Sequence, residues 1–391
     1  MTLIIVLIYI AFISLGLPDS MLGACWPVMH KDLHASLEFA GYIGMVVSFG
    51  TVISSLMANR ILHKYGTAKA VYTSIFLTVV ALAGISFAHN VWVLFLWAVP
   101  LGLGAGCIDS VLNNFVSLHL EAKHMNWLHC CWGFGALLGP GAVAAIIETE
   151  NGWRHGYWGV GGLQFLIFLL IFVFAGKFTP FDQKSYGNKE DEHLVTNTEA
   201  IKIPYMKWNL FNWFCLCGGE IIGIAWTGTF IAIGKGFGAE LGAVATSVYF
   251  ASCTLSRVLS GMLSTKLSTY KIINLAIIVY ILGCVILFLP LGVVGAFVGV
   301  ALISIGNGPL YPCIMHETPN RFGEEYSGAV TGLQMAAAYT GSTLITVLFG
   351  WCANRFGLSL YYTGTSLFLI MFIYSFFHVQ RGLGKLKVKK G

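Results

Sequence analysis

The chain has 391 residues, 57% of them apolar and only 10% charged, against roughly 25% charged in an average soluble domain. So little charge cannot cover a soluble surface, which excludes a soluble enzyme, a secreted disulfide scaffold and a nucleic-acid binder. The net charge of +5 sits in loops and at the end of the chain and is no sign of nucleic acid.

A membrane-crossing helix needs ~20 mostly apolar residues to span ~30 Å of hydrocarbon. Twelve such segments follow one another: 3–29, 37–59, 68–89, 91–118, 124–147, 156–178, 208–233, 240–263, 271–290, 293–316, 326–352 and 358–379. The first is too long for a cleaved signal peptide, lacks a basic start, and carries Asp19 and Trp26. The pattern predicts an all-α membrane protein of twelve transmembrane helices.

One long polar segment, 179–207, holds Asp182, Lys184, Lys189, Glu190, Asp191, Glu192, Glu199, Lys202 and Lys207. It lacks apolar periodicity and reads as a solvated linker between two sets of six. The expected organisation is a six-helix bundle at 1–178, the linker 179–207, a second bundle at 208–380 and a basic tail at 381–391. With the N-terminus inside, the inner segments hold 17 Lys and Arg and the outer loops hold 4. That bias predicts both termini and the linker in the cytoplasm of a multi-pass cell-membrane protein, in a bacterial inner or plasma membrane.

The ten cysteines fall almost wholly inside apolar segments, without zinc-ligand spacing, and read as small buried thiols. No metal and no cofactor are expected.

The halves repeat at an offset near 202. Gly104 and Gly106 match Gly306 and Gly308; Gly139 matches Gly341; Lys64 matches Lys266. Gly23 and Trp26 match Gly223 and Trp226 at offset 200, each pair preceded by an acid, Asp19 or Glu220. Duplicated six-helix halves are how a secondary transporter is built, with its site near the midplane.

Ionisable groups in hydrocarbon are costly and normally serve a cavity or a partner. Asp19, Asp109 and Glu220 lie mid-segment, with His129 and Arg257 nearer the cytoplasmic side. The acids and His129 are candidates for carrying a proton; Asp19 is alternatively a protonated group holding the bend at Pro18. Arg257 reads as a counter-charge or as a clamp on a cytoplasmic gate. Asn113, Asn307 and Gln334 offer amide donors and acceptors that suit a hydroxyl-rich ligand or join helices. Trp26, Trp132 and Trp226 sit in Gly-rich stretches beside polar groups and offer stacking faces for a sugar, or ordinary packing. Glu220 is a binding candidate beside Trp226. Gly135, Gly139 and Pro140 read as close helix packing, a run that proton-coupled drug antiporters also carry.

The chain resembles the major facilitator superfamily, and within it the fucose–galactose–glucose proton symporter family. The likeness rests on Gly16, Asp19, Gly23, Trp26 and Pro27 in the first span, and on Gly102, Gly104, Gly106, Asp109 and Asn113 in the fourth. It continues in Asn126, Leu128, His129, Gly133, Gly139 and Pro140 of the fifth span and Gly218, Glu220 and Trp226 of the seventh. Gly308, Pro312, Arg321, Phe322 and Gly323, then Gly328, Gly332 and Gly341, complete it. The superfamily's loop after the second span usually reads Asp-Arg-x-Gly; here His63, Lys64, Tyr65 and Gly66 keep the basic residue and the glycine but replace the acid. The resemblance implies gating roles for Lys64 and Gly66. It further implies uptake of a monosaccharide driven by protons through alternating access, with carboxylates of the first and fourth spans in coupling, the spans that hold Asp19 and Asp109. The expected partners are a small-molecule substrate, protons and the bilayer, with the protein acting as a monomer. A proton-coupled exporter of a drug or metabolite is the competing reading. An enzyme is not expected, because the chain has no nucleophile–base pair, metal spacing or appended soluble domain.

Overall fold

The computed structural model describes residues 2–144, 146–147, 149–186 and 194–390. Lys189, Glu190, Asp191 and Glu192 of the expected linker lie outside the described residues, as do the end residues 1 and 391. Helices form nearly the whole described chain, because an apolar segment in lipid must satisfy its backbone hydrogen bonds internally.

The first crossing is α1 (Thr2–Asp19) followed by α2 (Met21–Asp32). The interruption falls just after Pro18, which lacks a backbone donor. The second and third crossings are two helices that meet directly at a kink, together α3 (Phe39–Ser86), of 48 residues. At 1.5 Å per residue the two helices together sum to about 72 Å of helix, enough for two crossings. They divide at Gly66, whose φ of 76° and ψ of 168° leave the helical region. The loop expected between residues 59 and 68 is therefore a corner, at a φ that glycine adopts without steric cost.

Then follow α4 (Val91–His119), capped by Asn90 accepting from the Val93 amide at 3.1 Å, α5 (Ala122–Ala144) and α6 (Gly152–Val173). Within the linker lie α7 (Thr179–Tyr186) and α8 (Asn197–Lys202). Next come α9 (Met206–Thr229), extended by a π-helical turn at Phe230–Gly234, α10 (Ala239–Leu263) and α11 (Thr269–Phe288). The tenth crossing is split at Gly308 and Pro309 into α12 (Gly292–Asn307) and α13 (Leu310–His316), and α14 (Thr318–Phe322) follows. The chain ends with α15 (Ser327–Phe356) and α16 (Leu360–Lys390). α16 runs on through the basic residues near the chain end, to Lys390.

Among the described residues, nine helical stretches are long and apolar enough to cross a membrane. α3 counts once among them although its length holds two crossings. α5 and α10, at 23 and 25 residues, have the length but are diluted by polar residues and glycine. With these three the count reaches twelve. Phe49, Trp92, Leu137, Leu166, Ile233, Val294 and Ile370 are large apolar side chains on the outside, as a lipid-facing surface requires.

The chain forms two compact units. One comprises Met1–Leu120, Trp127–Thr196 and Ser327–Ala336; the other comprises Glu121–Asn126, Asn197–Tyr326 and Ala337–Gly391. Within the first, Leu17, Met21, Cys25, Trp26, Leu82, Trp153 and Tyr157 share an apolar core.

The sequence repeat reappears as packing. A Cβ on Gly106 of α4 would stand 2.4 Å from the Thr51 carbonyl oxygen, and one on Gly308 would stand 2.1 Å from Ser256 Oγ. The fourth span thus abuts the second, as the tenth abuts the eighth. Gly104 meets the Ser74 carbonyl of the third span, and Gly306 meets the Tyr280 amide of the ninth. Gly139 meets the Leu17 carbonyl of the first span, and Gly341 meets the Phe214 carbonyl of the seventh. Small residues let helix backbones approach where lipid supplies no hydrophobic drive.

Candidate functional site

In the first unit, one turn of α4 sets Asp109 beneath Asn113. Asn113 Nδ2 donates to Asp109 Oδ1 at 2.7 Å and to its backbone carbonyl at 2.9 Å. That leaves Asn113 Oδ1 as the acceptor facing α5, where His129 Nε2 lies 3.1 Å away. The pairing assigns the hydrogen to Nε2 of the imidazole. Phe12 of α1 closes the far side of the ring in an edge contact, centroids 5.6 Å apart. Asp109, Asn113 and His129 are 6%, 0% and 7% exposed, so an acid, an amide and an imidazole form one buried hydrogen-bonded string.

Asp19 differs. It is exposed at the end of α1, and its Oδ2 accepts from Trp132 Nε1 of α5 at 2.7 Å. α1 and α5 meet through glycine: a Cβ on Gly16 would stand 2.1 Å from the Trp132 carbonyl, and one on Gly135 2.1 Å from that of Ile13. The Gly-Pro run of α5 is thereby accounted for as packing. Trp26 is spent inside the first unit: it is buried in the apolar core and donates Nε1 to the Leu37 carbonyl at 2.9 Å. Gln334 is fully buried in the Ser327–Ala336 segment, and Ser327 Oγ at its start bonds Asn114 Oδ1 at 2.7 Å.

In the second unit, Arg257 of α10 reaches Glu220 of α9, Nη2 to Oε1 at 3.1 Å, while its Nε donates to the Gly308 carbonyl at 3.2 Å. That carbonyl belongs to the interruption between α12 and α13, where a backbone oxygen is released from the helix ladder. The Asn307 side chain lies beside the Glu220 carboxyl. Glu220, Arg257 and Asn307, chosen separately from sequence, therefore form one cluster. Trp226, one and a half turns beyond Glu220, packs on Phe349 with ring centroids 5.4 Å apart; its Nε1 has no partner among the described residues.

Lys64 and Gly66 lie at the α3 corner. Lys64 is exposed, with Nζ 5.2 Å from the Tyr65 ring centroid. The acid missing from this loop in the sequence is met by one from the linker. Asp182 of α7 accepts from the Thr67 amide at 3.0 Å and from Thr67 Oγ1 at 2.6 Å. Burial raises the Asp182 pKa, and the two Thr67 bonds oppose that rise. Sequence reasoning missed this residue, since nothing distinguishes it from the other charges of the linker. It also missed Ser260, which bonds Asn126 Oδ1 at 2.6 Å.

The model of the Major Facilitator Superfamily matches residues 8–346. The chain belongs to that superfamily. Among curated relatives, the glucose/mannose transporter GlcP of Bacillus subtilis is 21% identical over 358 residues, covering 89% of this chain and 87% of the relative. Two solved structures share the fold. The E. coli fucose:proton symporter FucP aligns with a TM-score of 0.77 at 16% identity, over 96% of this chain and 98% of that one. The proton:xylose symporter XylE, bound to 6-bromo-6-deoxy-D-glucose, aligns with a TM-score of 0.75 at 12% identity, over 98% of each chain. As a major facilitator, the protein is a multi-pass membrane transporter rather than an enzyme.

Proposed function

We propose that this transporter imports a monosaccharide together with a proton by alternating access. The observation that carries the reading is the Asp109–Asn113–His129 string. Burying an acid and an imidazole in apolar helices is costly, and such groups are retained where protons or substrates pass. The amide between them has a fixed orientation and links two groups able to exchange protons. The second unit supplies complementary chemistry: a carboxylate held by Arg257 beside Asn307, and an indole with an unused donor suited to a hydroxylated ligand. Similarity to a glucose/mannose transporter along nearly the whole chain favours a sugar as the cargo.

In this reading Asp109, Asp19, Glu220 and His129 handle the proton. Asn113, Gln334, Glu220, Asn307, Trp226 and Trp132 contact substrate, and Lys64, Gly66 and Arg257 serve the gates. The protein works as a monomer with both termini and the linker in the cytoplasm. Export is the competing reading, and its sequence support, the α5 Gly-Pro run, has a packing explanation.

The deciding experiment is uptake and counterflow in proteoliposomes against a panel of monosaccharides, with an inward proton gradient imposed or collapsed. Gradient-dependent accumulation of one sugar is expected. No accumulation or exchange of any sugar would overturn the reading. For orientation, Thr198→Cys in α8, in a background lacking the native cysteines, should resist an impermeant thiol reagent added outside intact cells.

A further inference from the structure

At its C-terminal end α16 carries Tyr374, His378, Arg381 and Lys385, spaced so that all four share one face. This face forms a wall of a groove of about 360 Å3, lined also by Tyr205, Ile373 and Phe377. The volume falls at the lower end of ligand sites. Tyr205 precedes α9 with a φ of 66°, a left-handed conformation uncommon outside glycine. That turn lays its ring against Gly382, where a Cβ would stand 2.2 Å from a ring atom. His378 lies among aromatic rings: Trp208 at 4.9 Å, Tyr205 at 5.5 Å and Tyr374 at 5.9 Å between centroids. No acid lines the groove among the described residues.

The lining changes character along the helix. Ile373 and Phe377 interleave with Tyr374 and His378 in the first part, and Arg381 and Lys385 follow nearest the chain end. A lipid at the membrane edge likewise presents an apolar portion next to a phosphate. Aromatic belts mark that edge, and basic pockets there attract anionic headgroups. A soluble phosphorylated molecule shares the phosphate chemistry but makes no use of the apolar half.

We propose that this groove is a binding site for the phosphate-bearing headgroup of an anionic phospholipid. Arg381 and Lys385 hold the phosphate, and Ile373 and Phe377 receive the start of an acyl chain.

The test is thermal unfolding of the purified full-length protein in detergent, titrated with phosphatidylglycerol, phosphatidylcholine or glycerol 1-phosphate. Three proteins are compared: the wild type, Arg381→Gln with Lys385→Gln, and Lys266→Gln with Lys271→Gln. The last pair removes equal charge at the α10–α11 connection. Phosphatidylglycerol should stabilise the wild type and the α10–α11 control alike. The groove variant should need roughly tenfold more of it. The site is refuted if the groove variant titrates like the wild type, or if the control weakens as much. Stabilisation by glycerol 1-phosphate equal to that by the lipid would overturn the lipid as occupant.

Discussion

Glu220 and Arg257, 37 positions apart on neighbouring helices, form an ion pair at 3.1 Å with side chains only 14% and 8% exposed. Removing one member of a buried pair strands the other, at a cost of about 3–5 kcal/mol, whereas neutral replacement of both is often tolerated. Glu220→Gln and Arg257→Gln should each lower the melting temperature of the purified protein, and the double variant should recover most of the loss. Transport should not recover with stability, because a ligand- or proton-handling carboxylate is still missing. A double variant that regains both stability and counterflow would reduce the pair to a structural clamp.

Coupling separates the two acids of the first unit. Asp109 is buried and tied to Asn113, whereas Asp19 is exposed and tied to Trp132. An acid that shuttles protons must change charge in each cycle, which an amide of the same shape cannot do. Asp109→Asn should therefore abolish accumulation against a gradient while sparing counterflow. Asp19→Asn should do so less completely, because Asp19 stands outside the Asp109–Asn113–His129 string. Paired uptake and counterflow in proteoliposomes decide the matter. If Asp109→Asn still concentrates substrate, proton handling passes to Asp19, Glu220 or His129.

The helical crossings were legible because each needs ~20 apolar residues, a signal that survives errors in its ends. The repeat was legible for a related reason: glycines at backbone contacts admit no larger residue, so Gly106 and Gly308 mark equivalent helix contacts in both halves. What escaped was pairing. Glu220, Arg257 and Asn307 each stood out as polar groups among apolar residues, but their convergence depends on the break at Gly308, which composition does not reveal. Trp26 stood out as strongly as Trp226, yet its indole is satisfied by the Leu37 carbonyl. The corner at Gly66 was hidden because helix continues on both sides of it.

The paired glycines give a stability prediction. A Cβ at Gly139 would lie 2.2 Å from the Leu17 oxygen, and one at Gly341 2.5 Å from the Phe214 oxygen. Both neighbours are backbone, so the helices must separate. Gly139→Ala and Gly341→Ala should each destabilise by about 1–3 kcal/mol, the usual cost of overpacking. At Gly159 of α6 a Cβ meets nothing within 4 Å. Gly159→Ala should be neutral or slightly stabilising, from helix propensity alone. Melting temperatures of the three variants test the contrast; equal effects at all three positions would remove the packing argument.

Asp182 gives a prediction in pH. Its carboxyl is held above its ordinary value by burial beside the Gly66 corner, despite the bonds from Thr67. In the window between the ordinary aspartate value of about 3.9 and the raised one, the folded protein binds more proton than the unfolded chain. Raising the pH through that window therefore withdraws stability, and the loss is complete above the raised value. Asp182→Asn keeps a carbonyl acceptor for Thr67 but cannot titrate. The stability of the wild type relative to this variant should fall as pH rises from about 4 and level off beyond the window. Melting curves of both proteins at half-unit pH steps measure the difference, in which other titrating groups cancel. A relative stability that climbs with pH would mean that the charged carboxylate is favoured at the corner, its bonds to Thr67 outweighing its burial.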